Sequence, residues 1–345
     1  MAAGGIPTSV LVAPDSFKGT FSATSVAAAI ARGLEARGRE VDLCPVADGG
    51  EGTLDALLEA LGGERERATV HDPLGRSISA DFGLVPASSG GPAVRRGALG
   101  RGVAAIVETA AASGLGLVAA QDRDAVAAST VGTGELILAA VAAGAGVVYL
   151  GVGGSATTDG GAGAIAAIHE GGGLRAARLA VLCDVRTPFE DAARVFAPQK
   201  GADAREVRRL TDRLHALAPQ LERDPRGVPM TGAAGGLSGG LWAAFGAELV
   251  PGASFVLDAL GFDRRMRAAR AVVTGEGKLD QQSLAGKAVS EIATRARQAG
   301  VPCHAIVGTR ELDAFGARIL DLQAVLEAGT LAEIERAGRE LAALV

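Results

Sequence analysis

The chain has 345 residues, 48% of them hydrophobic and 21% charged, with a net charge of -5 and a pI near 5.5. That length exceeds the ~250 to 300 residues that one core serves, so two domains, or one large α/β domain with insertions, are expected. Only 3% of residues are aromatic, and with the negative balance this excludes the basic field and stacking platforms of nucleic-acid binding.

Met1 to Val10 lacks the basic region and apolar run of a signal peptide, which leads to the expectation of a cytoplasmic protein. Ser9 to Ala13 reads as a buried strand, Ser22 to Arg37 as an amphipathic helix stopped by Gly38, Val41 to Val46 as a second strand, and Thr53 to Leu61 as a second helix ended by Gly62. This is the β-α-β-α opening of a parallel sheet. From Ala68 to Glu108 short runs of mixed polarity, broken by Pro73, Pro86 and Pro92, point to antiparallel or mixed strands. Gly134 to Ala143 reads as a helix, Val147 to Leu150 as a strand, Gly161 to His169 as a helix, Leu179 to Cys183 as a strand, and Asp203 to Leu217 as a polar helix. The uncharged stretch Leu136 to Thr158 is long enough to resemble a membrane span, but its glycines divide it into a helix, a strand and a loop. Strand and helix then alternate to the end: Ala271 to Thr274, Ala285 to Gln298, Pro302 to Val307, Leu312 to Leu320, Gln323 to Leu326 and Leu331 to Leu344. The two ends share one character, so residues 1–70 and 288–345 are expected to build one discontinuous domain, with residues 71–287 inserted as another.

Four acids stand at the carboxyl ends of these strands, where open α/β sheets bind ligands: Asp15, Asp48, Asp184 and Glu276. Asp48, with Glu51 three residues on, is also a helix-start signature. Asp184 closes an apolar strand, which is costly unless the carboxylate is paired or bound to metal. Of 34 basic residues only four are lysines, and all four adjoin glycine: Ser16-Phe17-Lys18-Gly19, Lys200-Gly201, Gly277-Lys278 and Gly286-Lys287. A compact ammonium beside a backbone free of side chain suits phosphate. Gly151-Val152-Gly153-Gly154-Ser155-Ala156 fits a dinucleotide fingerprint only loosely, because the loop runs on to Gly163; at a helix start it suits an anion of any kind. No P-loop motif occurs, and the four histidines and three cysteines show no metal-ligand spacing, so buried packing is expected of Cys44, Cys183, Cys303 and His304.

Those readings reach a phosphate-handling α/β enzyme that uses a metal. The same residues go further: Ala13-Pro14-Asp15-Ser16-Phe17-Lys18-Gly19, Pro45 to Thr53 with Asp48-Gly49-Gly50-Glu51, Gly151 to Gly163, Phe196 to Ala202, Gly232 to Leu237, and Thr274-Gly275-Glu276-Gly277-Lys278-Leu279-Asp280 with Gly286-Lys287 resemble, in order along the chain, the type I glycerate kinases. Two departures are visible: Thr187-Pro188-Phe189 stands where that family usually has Asn-Pro-Leu, and Lys278 where arginine is common. The resemblance implies a flavodoxin-like domain from both termini, a restriction-enzyme-like inserted mixed α/β domain, and ATP-dependent phosphorylation of glycerate to 2-phosphoglycerate at an interdomain cleft. On that reading Mg²⁺-ATP is the cofactor and glycerate the partner, with no nucleic acid and no membrane. Lys18, Asp48, Asp184, Asp280 and Lys287 are the expected catalytic residues, with Lys18, Lys287 and Asp184 foremost and the metal on Asp184 and Asp280. Asp15, Ser16, Gly49, Gly50, Glu51, Gly153, Gly154, Ser155, Lys200, Glu276 and Lys278 are expected to contact substrate or phosphate. The sequence leaves open which acid takes the hydroxyl proton, and two alternatives stand: a dinucleotide-dependent oxidoreductase, and a non-catalytic protein that binds phosphorylated ligands.

Overall fold

A computed structural model describes residues 8–86 and 102–345; the expectations for Met1 to Pro7 and for the break at Pro92 lie outside the described residues. In chain order the strands are β1 (Ser9–Pro14), β2 (Glu40–Leu43), β3 (Glu64–His71), β4 (Ser77–Pro86), β5 (Val103–Glu108), β6 (Ala145–Gly151), β7 (Arg178–Leu182), β8 (Glu248–Val250), β9 (Ala271–Leu279), β10 (Cys303–Arg310) and β11 (Val325–Glu327). They fall into two compact units: Met1–Asp48 with Val256–Val345, and Gly49–Phe255.

The first unit holds a five-stranded sheet in the order β11-β10-β9-β1-β2, all parallel. Counted within this unit the order is 2-1-3-4-5, the flavodoxin-like winding, whose topological switch point lies between the first and third strands, here β1 and β9. Val10 to Ala13 are wholly buried, which is why β1 reads as an unbroken apolar run rather than an alternating one. The helix Ala23–Glu35 starts at Ser22, whose hydroxyl accepts from the Ser25 N–H, and Leu331–Leu341 starts with a reciprocal Thr330–Glu333 capping box. These two helices meet at Gly33 and Gly338: a Cβ on Gly33 would lie 2.2 Å from the Glu335 carbonyl oxygen, and one on Gly338 2.6 Å from that of Ile30.

The second unit holds a six-stranded mixed sheet in the order β3-β4-β5-β6-β7-β8. The β3–β4 hairpin and the β4–β5 pair are antiparallel, as expected of the run Ala68 to Glu108, and the pairs from β5 through β8 are parallel. Its core joins Leu136 and Ile137 of the helix Val131–Ala142 to Leu150 of β6, Ile168 of the helix Ala162–Glu170 and Val181 of β7. The stretch Leu136 to Thr158 is thus part helix, part β6 and part loop, and no helix among the described residues is long and apolar enough to cross a membrane. Cys44, Cys183 and Cys303 are buried free thiols, and His304 is packed inside β10.

The observed division differs from the expected one at both joins. The helix Thr53–Leu61 belongs to the second unit because Leu54 and Leu58 fill the space over Gly83 of β4, where a Cβ would come within 2.6 Å of Leu54. β9 belongs to the first unit because its backbone pairs with β1 on one side and β10 on the other. β9 also runs on through Leu279, so Glu276 and Lys278 lie within a strand rather than past its end. A Gly33→Ala substitution is expected to lower stability by about 1–3 kcal/mol, because backbone-on-backbone overpacking outweighs the ~1 kcal/mol gained in helix propensity. Urea denaturation measures this; an unchanged or raised midpoint would show that the two helices do not meet there.

Candidate active site

Past the end of β1 the chain makes a tight loop. The Phe17 N–H donates to the Phe21 carbonyl at 2.9 Å and the Phe21 N–H donates back at 3.0 Å, while Gly19 takes φ +77°, so Lys18 stands at the tip. The segment after β2 continues alongside β1, with the Cys44 N–H on the Val12 carbonyl at 2.8 Å and the Val46 N–H on the Pro14 carbonyl at 3.0 Å, and this delivers Asp48 to the same end of the sheet. Lys18 Nζ meets Asp48 Oδ2 at 2.8 Å, and the carboxylate holds the half-exposed ammonium protonated well above the usual lysine range.

Asp15 and Glu276 lie on either side of the switch point, on β1's end and β9, and both are buried. Asp15 Oδ1 accepts from the Ser16 N–H at 2.6 Å; burial first, and the charge of Asp48 second, push its carboxyl up to about 8. Burial pushes Glu276 up to about 7. Its Oε2 is 4.0 Å from Lys287 Nζ, while Oε1 is sealed from solvent without a hydrogen-bond partner. Asp15, Ser16, Lys18, Asp48, Glu276, Lys278 and Lys287 line one cavity of about 340 Å³, with Gly308, Thr309 and Gly329 among its other walls. Three of the four lysines therefore share one cavity. Lys278 is the outermost, paired with Glu311 at 2.8 Å and standing 4.0 Å from Asp280.

The remaining expected residues belong to the second unit. Gly49 and Gly50 pack backbone against backbone on the loop after β6: a Cβ on Gly151 would lie 2.6 Å from the Gly49 carbonyl oxygen, and one on Gly153 2.6 Å from Gly50 Cα. Glu51 is exposed at the start of the helix Thr53–Leu61. Gly154 turns at φ +71°, and Ser155 is buried with its hydroxyl 2.8 Å from that of Thr157. Past this loop the donors at the start of the helix Ala162–Glu170 are already engaged. Buried Asp159 accepts from the Gly161 and Gly163 N–H groups at 3.1 and 3.2 Å and from Thr130 N–H and hydroxyl at 2.9 and 2.8 Å, and the Thr130 hydroxyl accepts from the Ala164 N–H. A carboxylate of the chain itself occupies the place where the pyrophosphate of a dinucleotide would sit, which removes the support for an oxidoreductase. Lys200 is buried and donates to the Thr157 carbonyl, and burial lowers its ammonium to about 7. Asp184 accepts from the Ala253 N–H at 3.0 Å, near the start of the helix Gly252–Ala259, so the carboxylate two residues past β7 has a protein partner. A wider cavity of about 550 Å³ in this unit, between Ser129, Asp159 and Arg213, has its acid committed to Thr130 and the glycines and its arginine on the Val126 carbonyl.

Among the described residues no group of three or more His, Cys, Asp or Glu side chains is placed to hold a metal ion, and Asp184 and Asp280 fall in different units. Sequence reasoning missed three buried acids, of which Asp72 is engaged within its own turn by the Leu74 and Arg76 N–H groups. Glu108 ends the apolar run of β5, the signature that marked Asp184, and accepts from the Leu54 N–H at 2.8 Å, with burial pushing it up to about 7. Asp159, inside a Gly/Thr loop, carried no strand-end signal.

A model of the glycerate kinase family matches residues 10–171 and 171–338. A glycerate kinase from Halalkalibacterium halodurans is 37% identical, with 87% of this chain and 85% of that protein covered. The glycerate 2-kinase of Escherichia coli K12 is 36% identical, over 87% of this chain and 85% of its own length. A crystal structure from Salmonella typhimurium LT2, of a protein provisionally named glycerate kinase 2, superposes with a TM-score of 0.77 at 32% identity and covers 98% of both chains. On these matches across nearly its whole length, the chain belongs to the glycerate kinase family.

Proposed function

We propose that this protein transfers the γ-phosphoryl group of ATP to the 2-hydroxyl of glycerate, and that the cavity at the switch point of the first unit is where its charged groups act. The observation that carries the reading is the gathering of Lys18, Lys278 and Lys287 with Asp15, Asp48 and Glu276 around one 340 Å³ cavity, by residues that the family motifs supply. Phosphoryl transfer is mostly positioning and charge stabilisation, and these groups are suited to both. Lys287 is the N-cap of the helix Ala288–Ala299, and no side chain caps that helix start. Its ammonium, loosely paired at 4.0 Å, and the helix start together favour an arriving phosphate. Lys18, fixed by Asp48, acts as a positioned charge rather than a mobile one.

Mg²⁺ belongs to the same reading. It is held by one or two carboxylates plus substrate phosphates rather than by a cage built of protein, and a site where, among the described residues, no three acids are placed to share one ion is compatible with that habit. Asp280, close enough to Glu276 to raise its carboxyl, offers the hard oxygen the ion prefers. When bound, Mg²⁺ would supply neutralisation of the transferring phosphates.

The buried acids cost stability. A carboxyl whose folded value is raised contributes its stability below its unfolded value, and that contribution is lost as pH rises through the folded one. For Glu276 the window runs from about 4.5 to about 7. Glu276→Gln is therefore expected to be more stable than the wild type at pH 8.5 by on the order of 1–3 kcal/mol, with the difference vanishing near pH 4.5, when thermal melts are compared across pH. Lys18→Ala is expected to lower kcat by at least ~100-fold, the scale for a removed transition-state charge, with an unaltered circular dichroism spectrum; near-normal turnover removes Lys18 from the mechanism. The position of transfer is read by incubating the protein with ATP, Mg²⁺, D-glycerate and enolase. Phosphoenolpyruvate forming without phosphoglycerate mutase is expected, whereas a signal that waits for the mutase assigns the 3-hydroxyl instead.

A further inference from the structure

We infer that Asp15, rather than Asp48, Asp184 or Asp280, is the catalytic residue that takes the proton from the acceptor hydroxyl, an assignment that rests on the glycerate kinase reading above. Geometry disfavours the other acids one by one. Asp48 lies 2.8 Å from the ammonium of Lys18, so a proton taken there would have to displace that ion pair. Asp184 accepts from the Ala253 N–H, and Asp280 stands off the cavity wall, 4.0 Å from Lys278. Glu276 lines the cavity, but one oxygen faces Lys287 and the other is sealed from solvent. Asp15 lines the same cavity and forms no ion pair among the described residues. Only Oδ1 is fixed, by the Ser16 N–H, which orients the carboxyl group, while Oδ2 is not among the sealed, partnerless oxygens. It also sits just past the end of β1 at the switch point, where this winding places its ligands.

The charged groups around Asp15 set its affinity for a proton in opposing directions. Asp48 after β2 and Glu276 on β9 raise it, Lys18 on its own loop lowers it, and Lys278 and Lys287 stand further along the cavity wall. With burial the largest influence, the carboxyl sits at about 8, in the range where a group both accepts and releases a proton in each turnover. In the step itself the O–H bond of glycerate breaks and its proton passes to the Asp15 carboxylate. The hydroxyl oxygen forms a bond to the γ-phosphorus, and the bridging P–O bond of ATP breaks with its electron pair leaving on ADP. Asp15 returns the proton to water once product has left.

The test compares wild type, Asp15→Asn, Asp15→Glu and Glu276→Gln by ADP release with D-glycerate and Mg²⁺-ATP from pH 6 to 9.5, beside equilibrium binding of a non-hydrolysable ATP analogue. Wild-type kcat/KM for glycerate is expected to rise about tenfold per pH unit below about 8 and then level off. Asp15→Asn is expected to lose ~100- to 10,000-fold in kcat, to bind the analogue within about threefold of wild type, and to lose the rise with pH. Asp15→Glu should recover part of the rate, and Glu276→Gln, though slower, should keep the rise. A wild-type profile flat through pH 8, an Asp15→Asn rate within about fivefold of wild type, or a rise lost in Glu276→Gln and kept in Asp15→Asn would each overturn the assignment while leaving the kinase reading intact. No glycerate-dependent ADP release by the wild type overturns that reading and the assignment with it.

Discussion

The site depends on how closely three backbone segments approach at the carboxyl ends of β1, β9 and β10. A Cβ on Gly275 would lie 2.2 Å from the Ile306 carbonyl oxygen, one on Gly308 2.4 Å from that of Gly277, and one on Gly277 3.2 Å from Phe17 Cα. Side chains at these positions would force the strands apart, and Asp15, Lys18 and Glu276 would separate with them. The parallel register then does the rest: Val12 opposes Val273 and Ala13 opposes Thr274, so acids that lie far apart in the chain reach the same level of the sheet. Burial follows from the closeness, and the raised proton affinity of Asp15 and Glu276 follows from burial.

The second unit uses the same device for a different end. Gly49, Gly50, Gly151 and Gly153 bring two loops into backbone contact, and Glu108 holds the start of the helix Thr53–Leu61 that leads out of the first of them. Here the polar groups are spent on one another. Asp159 takes four donors, and Asp184 has the Ala253 N–H. A glycine-rich loop beside a helix start is thus equally a means of closing two loops together and a means of holding phosphate, and only the partners of its N–H groups tell the two apart.

That ambiguity marks where the sequence is legible and where it is not. Apolar runs and their stops located Thr53–Leu61 to the residue, and β1, β6 and β7 to within a residue or two, because buried parallel strands and capped helices leave local patterns. The lysine–glycine pairs led to three of the groups at the cavity because charge type and backbone freedom are both written locally. The joins between units were misplaced because membership depends on which strand β9 pairs with and where Leu54 packs, and neither is a local property. Lys200 looked like its three companions, yet the contact with Thr157 that buries it lies far away in the chain. Glu108 bears the same mark as Asp184, an acid closing an apolar strand, but what it holds, the Leu54 N–H, lies 54 residues away in the chain.

The pairing of Gly33 with Gly338 ties the two distant segments of the first unit together, and it bears on the order in which the protein is made. Synthesis proceeds from β1 onward, so β1 and β2 emerge well before the strands that cover them, while Gly49–Phe255 has all its own sheet partners as soon as it is complete. The inserted unit is therefore complete while the apolar run Val10 to Ala13 of β1 still waits for its partners, the kind of long-range contact that slows folding and invites wrong partners. The cavity around Asp15 and Lys18 does not exist until Glu276, Gly308 and Gly329 have been added to the chain. A nascent chain halted before Val256 would hold every strand of the second sheet, and none of the walls that β9 and β10 lend the cavity.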